Sequence, residues 1–290
     1  MFETRYDVGE VRIWHWPVQQ IEIEKVGAEA SKAGLASARH PVSRHFIGFH
    51  LGDQEYTVTL ASNRAPNHGQ RQEMIAAIRV IAGHLAAEVG KTALNDRVLN
   101  AMAKVPRHEF VPVEVQPYAY LNRPLPIGFD KTISQPLVVA VMTDLLELKP
   151  DDLVLEIGTG RGYQAAVLAE LAGRVYSVEL IDELAQRAGQ LLKRQGYTNI
   201  EVRVANGYFG WPEHAPFDKV MVTAAPDLIP APLINQLKVG GRMVIPVGLP
   251  DDQQLVLAEK DINGRVTTKE IMPVRFSLLE EPDQPAFRPS

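Results

Sequence analysis

The residues best suited to chemistry lie at positions 154–163, where an apolar run leads into a glycine-rich turn. Glycine has no Cβ, so the backbone can turn sharply there and come close to a ligand. A helix is predicted over residues 163–171, and its first N–H groups are free to bind a carboxylate or phosphate. A strand predicted over residues 174–178 then ends on Glu179, and an acid at that point can accept hydrogen bonds from both hydroxyls of a ribose. The combination predicts a cofactor that carries a nucleoside.

The order of residues in the turn indicates which cofactor this is. A dinucleotide site has its first glycine directly after the strand, in the pattern Gly-x-Gly-x-x-Gly. Here Glu156 closes the strand, and Gly158, Gly160 and Gly162 follow it. A carboxylate at this position repels a pyrophosphate, whereas it accepts hydrogen bonds from an ammonium. S-adenosylmethionine has an ammonium, a ribose, an adenine and no phosphate. The pattern therefore favours a methyltransferase site over an ordinary strand–helix turn with incidental glycines.

The composition limits the other classes of function. With 290 residues, the chain is long enough for one large domain plus an extension, or for two small domains. It has no cysteine, which excludes disulfides, thiolate catalysis and thiolate metal sites. The net charge of −5 argues against a nucleic-acid partner, and no apolar run reaches the length of a bilayer span. Because the N-terminus also lacks a signal-peptide pattern, we expect a cytoplasmic protein that binds neither nucleic acid nor membrane.

The histidines do not predict a metal site. His15, His40, His45 and His50 lack the helical spacing beside carboxylates that metal ligands usually have. Methyl transfer also needs no metal, so we expect none.

From about residue 94, helical and strand patterns alternate, as a doubly wound α/β sheet requires. Helices are predicted over residues 94–102, 137–148, 163–171, 182–195 and 228–237. Besides the strand before the glycine turn, strands are predicted over residues 174–178, 200–204, 219–223, 242–247, 254–259 and 267–276. Gly240-Gly241 is predicted to turn the chain into the strand at 242, and Asn263-Gly264 to join the last antiparallel pair. The pattern predicts a Rossmann-like sheet with helices on both faces.

The first seventy residues have a different pattern. Short β-rich runs occupy residues 10–13, 20–24, 45–51 and 56–60, with Gly52-Asp53 as a hairpin turn. A polar loop at 63–69 separates them from a helix predicted over 70–89. We therefore expect a β-rich N-terminal extension at 1–69, a methyltransferase domain at 70–280 and a mobile tail at 281–290. The extension has too few apolar residues for its own core, so we expect it to pack on the domain or on a second subunit.

A polar loop at residues 131–136 precedes the helix predicted to begin at Leu137. Ser134, Gln135 and the backbone amides of this loop are suited to binding a carboxylate. The same residues are suited to a plain helix entry, with Ser134 as the N-cap. The residues alone leave both interpretations open.

Seven blocks of sequence occur in a fixed order along the chain. They are VPRHEFVP at 105–112, PLPIG at 124–128, TISQP at 132–136, LEIGTGRGYQ at 155–164, GWP at 210–212, TAAP at 223–226 and GGRMVIPVG at 240–248. Together they resemble the protein-L-isoaspartate O-methyltransferase family, whose members repair damaged aspartyl and asparaginyl sites. The resemblance covers roughly residues 71–279.

The resemblance implies a class I methyltransferase fold, in which substrate and cofactor meet over the carboxyl ends of a mostly parallel sheet with an antiparallel edge. It implies methyl transfer from S-adenosylmethionine to the α-carboxylate of an L-isoaspartyl residue in a peptide or protein. A carboxylate is already ionised at neutral pH, so this reaction needs no general base. Catalysis then consists of aligning the reacting atoms and excluding water.

The resemblance also assigns roles to individual residues. Ser134 matches the active-site serine, and its neighbours become candidate substrate contacts: Lys131, Thr132, Ile133 and Gln135. The cofactor-binding positions are matched by Glu156, Gly158, Thr159 and Gly160 in the turn, Glu179 at the ribose, and Asn206-Gly207 at the adenine edge. We expect Glu179 to face solvent at its strand end, so that its loss affects cofactor binding and not folding.

Three departures from the family pattern leave the acceptor open. Ala205-Asn206-Gly207 stands where relatives usually have Gly-Asp-Gly, Asp130-Lys131 where they have Gly-Gln, and Asn122 where they have Asp. An Asn Oδ1 still accepts from the adenine amino group, so cofactor binding is expected to persist. The other two changes redistribute charge near the expected acceptor pocket. They permit two alternatives, namely a specialised methyltransferase for another peptide or small-molecule carboxylate, and a catalytically silent relative that binds the cofactor or a partner protein.

Overall fold

The computed structural model describes residues 7–8, 11–14, 44–51, 54–61, 68–84 and 93–280. The chain divides into two compact units, Met1–Gln70 and Arg71–Ser290. In the first unit, an antiparallel sheet has the order β1 (Asp7–Val8), β2 (Val11–Trp14), β3 (Arg44–Leu51) and β4 (Gln54–Ala61). The strands predicted at 10–13, 45–51 and 56–60 are confirmed, while the run at 20–24 and the turn at 52–53 lie outside the described residues. The docking of the extension and the mobile tail stay predictions.

From residue 68 onward, helices and strands follow one another along the chain. The helices are α1 (His68–His84), α2 (Asp96–Lys104), α3 (Pro136–Leu145), α4 (Tyr163–Ala169), α5 (Asp182–Arg194) and α6 (Ala231–Gln236). The strands are β5 (Leu125–Gly128), β6 (Lys131–Ile133), β7 (Leu153–Ile157), β8 (Arg174–Glu179), β9 (Ile200–Val204), β10 (Phe217–Val222), β11 (Leu237–Leu249), β12 (Asp252–Lys260) and β13 (Val266–Val274). Short 3₁₀ turns lie at Arg107–Phe110, Val113–Tyr118, Gly207–Phe209 and Pro212–His214. The elements predicted from residue 94 onward are present, with their ends displaced.

Seven of these strands form one sheet in the order β13-β12-β11-β10-β7-β8-β9. β7 to β11 are parallel, and β12 and β13 pair antiparallel at one edge. β5 and β6 form a separate hairpin. This is the mostly parallel sheet with an antiparallel edge that the sequence predicts.

The side chains of the sheet divide between two apolar clusters, one for each face. Successive side chains along a strand point to opposite faces. Val154 and Met221 pack in a cluster with residues of α1 to α5, whereas their neighbours Leu155 and Val220 pack in a second cluster with Leu233 of α6. Both faces are therefore covered, which explains why the central strands are apolar almost throughout and confirms the prediction of helices on both sides.

Gly240-Gly241 lies inside the bounds of β11, so the strand begins earlier than the predicted residue 242. The pairing with β10 jumps from Phe217–Leu237 to Lys219–Arg242, so regular pairing begins only at Arg242 and the residues around the glycine pair are out of register. Gly240 has a φ of +78°, and a Cβ on Gly241 would lie 2.7 Å from the carbonyl oxygen of Lys238. The glycine pair therefore marks the point where the chain turns into its regular pairing with β10.

The contacts at the start of α3 decide whether Ser134 is the N-cap of this helix. The helix begins at Pro136, and Gln135 before it makes no side-chain cap. The cap comes from Asn122, because the N–H of Leu137 donates to Asn122 Oδ1 at 2.9 Å. Ser134 is therefore not the N-cap, and its hydroxyl is left out of the helix entry.

We predict that Asn122→Ala lowers the free energy of unfolding by about 1 kcal/mol, because the N–H of Leu137 loses its acceptor at the start of a buried helix. Denaturant unfolding measures this change. Asn122→Asp is the matched control, since it keeps an acceptor oxygen and adds a negative charge beside a helix N-terminus. It should stay within about 0.5 kcal/mol of the unsubstituted protein. Equal stability of the alanine and aspartate variants would contradict this assignment.

Candidate functional site

The turn after β7 is held by contacts with both neighbouring strands. Gly158 has a φ of +93°, and its N–H donates to the carbonyl of Val178 in β8 at 2.8 Å. On the other side, the hydroxyl of Thr223 after β10 donates to the carbonyls of Ile157 and Gly158 at 2.9 and 2.8 Å. A Cβ on Gly158 would lie 2.3 Å from Thr223 Oγ1. The position therefore needs glycine for its backbone conformation and for space.

Glu179 binds the glycine turn from the end of β8. Its Oε2 accepts from the N–H of Gly160 at 2.8 Å, and its Oε1 accepts from the N–H of Ile181 at 3.0 Å. The residue is only 7% exposed, so the expectation that it faces solvent is wrong. The acid that the sequence assigns to a ribose also orders the turn, because each of its oxygens accepts one backbone amide. A carboxylate oxygen has capacity for a further hydrogen bond.

Glu156 lies fully buried at the end of β7. Its Oε2 accepts a hydrogen bond from the hydroxyl of Ser177 in β8. Its Oε1 has no hydrogen-bond partner among the described residues. Burial raises the pKa of Glu156 to about 8, the Ser177 hydroxyl opposes that shift and the charge of Glu179 adds to it. A buried carboxyl with one free oxygen is suited to receive a cation or another donor from a ligand.

Asn206-Gly207 lies beside the end of β7. A Cβ on Gly207 would lie 2.3 Å from Cγ2 of Ile157, so glycine is required there by space. Asn206 Oδ1 accepts from the N–H of Tyr208 at 2.9 Å and so caps the 3₁₀ turn that follows. Asp and Asn are both good caps, so this local structure survives the departure from the family pattern.

The β5–β6 hairpin brings the Ser134 loop to the glycine turn. Cδ1 of Ile127 in β5 lies 3.2 Å from the position that a Cβ on Gly160 would occupy. Ser134 follows directly after β6, which pairs with β5. The sheet register therefore places the loop beside the turn, although the two are more than twenty residues apart in sequence.

The tip of this hairpin explains one departure from the family. Phe129 and Asp130 have φ values of +56° and +54°, as the two central residues of a type I′ turn require. Asp tolerates the left-handed conformation better than most residues other than glycine. Asp130 is exposed, so its place where relatives have glycine is compatible with the turn.

Arg107 is a site residue that sequence reasoning missed. Its guanidinium is fully buried, donates to the carbonyl of Ala119 at 2.8 Å and donates to the carbonyl of Ser134 at 2.7 Å. It also lies over the ring of Tyr163, the first residue of α4, at 4.8 Å from the centroid. Burial lowers the pKa of Arg107 to about 10, so it stays charged at neutral pH. The Arg107 guanidinium therefore contacts both the Ser134 loop and α4, the helix that follows the glycine turn.

The candidate substrate contacts differ in burial and in the hydrogen bonds that they make. Ile133 is buried in the apolar core, and the side-chain amide of Gln135 donates to the carbonyl of Asn122 at 3.0 Å. Thr132 is exposed, whereas Lys131 and Ser134 are half-buried. The residues with side chains still available to an acceptor are therefore Lys131, Thr132 and Ser134, while Ile133 and Gln135 hold the loop in place.

These contacts gather the cofactor candidates at the carboxyl ends of β7, β8, β9 and β10. The free oxygen of Glu156 suits an ammonium, the Glu179 carboxylate suits two hydroxyls, and Asn206 lies at the end of β9 where an adenine edge is expected. In the part of the chain that the structure describes, no group of three or more His, Asp or Glu side chains is placed to hold a metal. Nor does any helix there have the length and apolar character to cross a membrane.

Comparison with known proteins points to one family. A family model for protein-L-isoaspartate(D-aspartate) O-methyltransferase matches residues 84–283. The chain is 65% identical over 211 residues to protein-L-isoaspartate O-methyltransferase 1 of Polaromonas sp. (strain JS666), covering 73% of this chain and 89% of the relative. It is 56% identical over 215 residues to protein-L-isoaspartate O-methyltransferase 2 of Syntrophobacter fumaroxidans, covering 74% of this chain and 87% of the relative.

Two solved structures share the fold. One is a protein-L-isoaspartate O-methyltransferase with a TM-score of 0.63 and 27% identity, where the match covers 73% of this chain and 66% of the other. The second is a Plasmodium falciparum chain named for the same activity and solved with S-adenosyl-L-homocysteine. Its TM-score is 0.60 at 20% identity, and the match covers 75% of this chain and 99% of the other.

We predict that Gly158→Ala lowers the free energy of unfolding by at least about 1 kcal/mol, because the new Cβ meets Thr223 and the backbone has a positive φ. Gly189→Ala is the matched control, since nothing lies within 4 Å of an added Cβ at that position inside α5. It should raise the stability by up to about 1 kcal/mol, because alanine favours a helix over glycine. Denaturant unfolding compares the two variants, and a similar shift in both would show that the turn is not constrained by Thr223.

Proposed function

Because this chain belongs to the protein-L-isoaspartate(D-aspartate) O-methyltransferase family, we propose that it methylates the α-carboxylate of L-isoaspartyl residues in damaged proteins, with S-adenosylmethionine as the methyl donor. The observation that carries the proposal is the convergence of Glu156, Glu179 and the Ser134 loop on one glycine turn, in a chain that is 65% identical to a named relative. We also propose that the protein acts in the cytoplasm.

The residues present fit the cofactor. We assign the free oxygen of Glu156 to the ammonium, the Glu179 carboxylate to the ribose hydroxyls and Asn206 to the adenine edge. Gly158 and Gly160 let the backbone come close, and Thr159 lies between them with its hydroxyl bonded to Ser177. When bound, S-adenosylmethionine supplies an electrophilic methyl group on its sulfonium.

The protein's contribution to the reaction is orientation. The acceptor carboxylate needs no base, since it is ionised at neutral pH. We assign its binding to the Ser134 hydroxyl and the neighbouring loop amides, with Lys131 and Thr132 at the entrance. Arg107 fixes the position of the Ser134 backbone relative to the start of α4. The acceptor carboxylate and the cofactor are thereby held in a single relative orientation. Exclusion of water from this edge of the sheet prevents hydrolysis and strengthens the charged contacts.

Three departures from the family pattern are compatible with the same function. Asn122 caps α3, Asn206 caps a 3₁₀ turn, and Asp130 occupies a left-handed turn position. Each therefore has a local structural role that keeps the site in shape. The 65% identity to a protein-L-isoaspartate O-methyltransferase favours isoaspartyl methylation over a specialised acceptor or a silent relative.

The direct test is methyl transfer from labelled S-adenosylmethionine to two peptides that differ only in an aspartyl or isoaspartyl linkage. We expect transfer to the isoaspartyl peptide and none to the other. Ser134→Ala should lower kcat/KM by at least about tenfold, because a hydrogen bond to a charged group is worth about 1.5–3 kcal/mol. Ser134→Thr keeps the hydroxyl and is the control. Inactivity on both peptides with intact cofactor binding would favour the specialised enzyme instead.

We predict that Glu179→Ala weakens S-adenosylhomocysteine binding by at least about tenfold, because charge-assisted bonds to the ribose are lost. It should also lower stability, since the N–H groups of Gly160 and Ile181 lose their acceptor. Glu179→Gln keeps one acceptor oxygen without the charge, so it should lose less stability than the alanine variant and still bind weakly. Calorimetry and unfolding separate the two effects. Unchanged affinity in both variants would place the ribose elsewhere.

A further inference from the structure

A chain of hydroxyls leads through the buried interior to Glu156. Thr159 Oγ1 lies 2.5 Å from Ser177 Oγ, and the Ser177 hydroxyl donates to Glu156 Oε2. When Glu156 is a carboxylate, Ser177 donates its only proton to it and therefore accepts from the hydroxyl of Thr159. All three side chains are buried, with exposures of 3% for Thr159 and 0% for Ser177 and Glu156. The hydrogen bond from Ser177 therefore fixes the plane of the Glu156 carboxyl.

The surroundings of Glu156 disfavour a negative charge. Its second oxygen has no donor among the described residues, and the neighbouring charged group is another acid, Glu179 at the end of β8. The residue paired with it on β10 is the apolar Met221. A carboxylate that is removed from water without a cation costs more than a neutral carboxyl. A single hydroxyl donor does not compensate, in agreement with a pKa raised to about 8.

We propose that Ser177, itself held by Thr159, is a positioning residue that orients Glu156 for the cofactor ammonium, and that Glu156 releases a proton when the cofactor binds. In this step the O–H bond of the Glu156 carboxyl breaks, the proton passes to water or buffer, and the carboxylate pairs with the ammonium. The inference rests on the proposed function, because it takes the nucleoside cofactor as the ligand of this turn.

Proton release from Glu156 on binding fixes the sign of the pH dependence of cofactor affinity. Below pH 8 the free protein holds Glu156 mostly protonated, while the bound ammonium favours the carboxylate. Binding then releases close to one proton, so affinity falls as the pH falls, by up to about tenfold per pH unit. The α-amino group of the ligand stays protonated below about pH 7.7, which makes pH 6 to 7.5 roughly the range in which Glu156 dominates.

The experiment is calorimetric titration of the full chain with S-adenosylhomocysteine at pH 6.5, in buffers with different heats of ionisation. The dependence of the observed heat on the buffer gives the number of protons released, and we expect close to one. Glu156→Gln should release none, bind more weakly and show no pH dependence between about pH 6 and 7.5. Ser177→Ala should bind several-fold more weakly at pH 7 and need a higher pH for its full affinity, because it loses the donor that favours the charged form.

A variant of another buried hydroxyl serves as the matched control. Thr143 in α3 is fully buried and accepts from the Gln164 side-chain amide at 3.0 Å, outside the hydroxyl chain. Thr143→Val should leave the proton count and the pH dependence unchanged. If Ser177→Ala behaves like this control, Ser177 is not a positioning residue and that part of the proposal is overturned.

The proton count of the unsubstituted protein needs no variant, so the proposal stays testable if Ser177→Ala does not fold. Tight binding without proton release at pH 6.5 would overturn the release from Glu156 while leaving the proposed function intact. Absence of S-adenosylhomocysteine binding at every pH would contradict the proposed function, and this inference with it.

Discussion

The site depends on the close contact between Thr223 and Gly158. The Thr223 hydroxyl donates to two carbonyls of the turn, and it lies where any side chain at Gly158 would be. This contact fixes the turn at the crevice beyond the parallel strand ends, the region where open α/β sheets bind ligands. The other polar contacts follow from it, because the turn then presents its amides and the Thr159 hydroxyl to β8.

Two acids next to this turn have different surroundings. Glu179 accepts two backbone amides, and such hydrogen bonds stabilise a carboxylate. Glu156 has one hydroxyl donor and one free oxygen in a fully buried position. The same residue type is thus suited to two tasks, namely to bind neutral hydroxyls in one case and to respond to an arriving cation in the other. The difference arises from the number of donors that face each carboxyl and from the complete burial of Glu156, not from residue type.

Local pattern predicts the parts of the molecule that local contacts decide. The glycine turn, the acid at the end of β8 and the alternation of helix and strand follow from spacing and periodicity. Arg107 and Asn122 were not predictable in their roles, because their partners Ser134 and Leu137 are brought to them only by the tertiary fold. The irregular pairing at the start of β11 was not predictable either, because it is set by the neighbouring strand β10. The only signal for Arg107 was its place in the block VPRHEFVP, where His108 and Glu109 were equal candidates.

The most direct test of the central claim, that the two acids beside the turn hold the cofactor, is a crystal structure of the chain with S-adenosylhomocysteine. It should place both ribose hydroxyls within hydrogen-bonding distance of the Glu179 carboxylate, about 2.5–3.0 Å, and the ammonium on the free oxygen of Glu156 directly or through one water. The Ser134 loop should border the sulfur. A nucleoside bound away from the ends of β7 and β8, with Glu179 still bonded only to Gly160 and Ile181, would contradict the account.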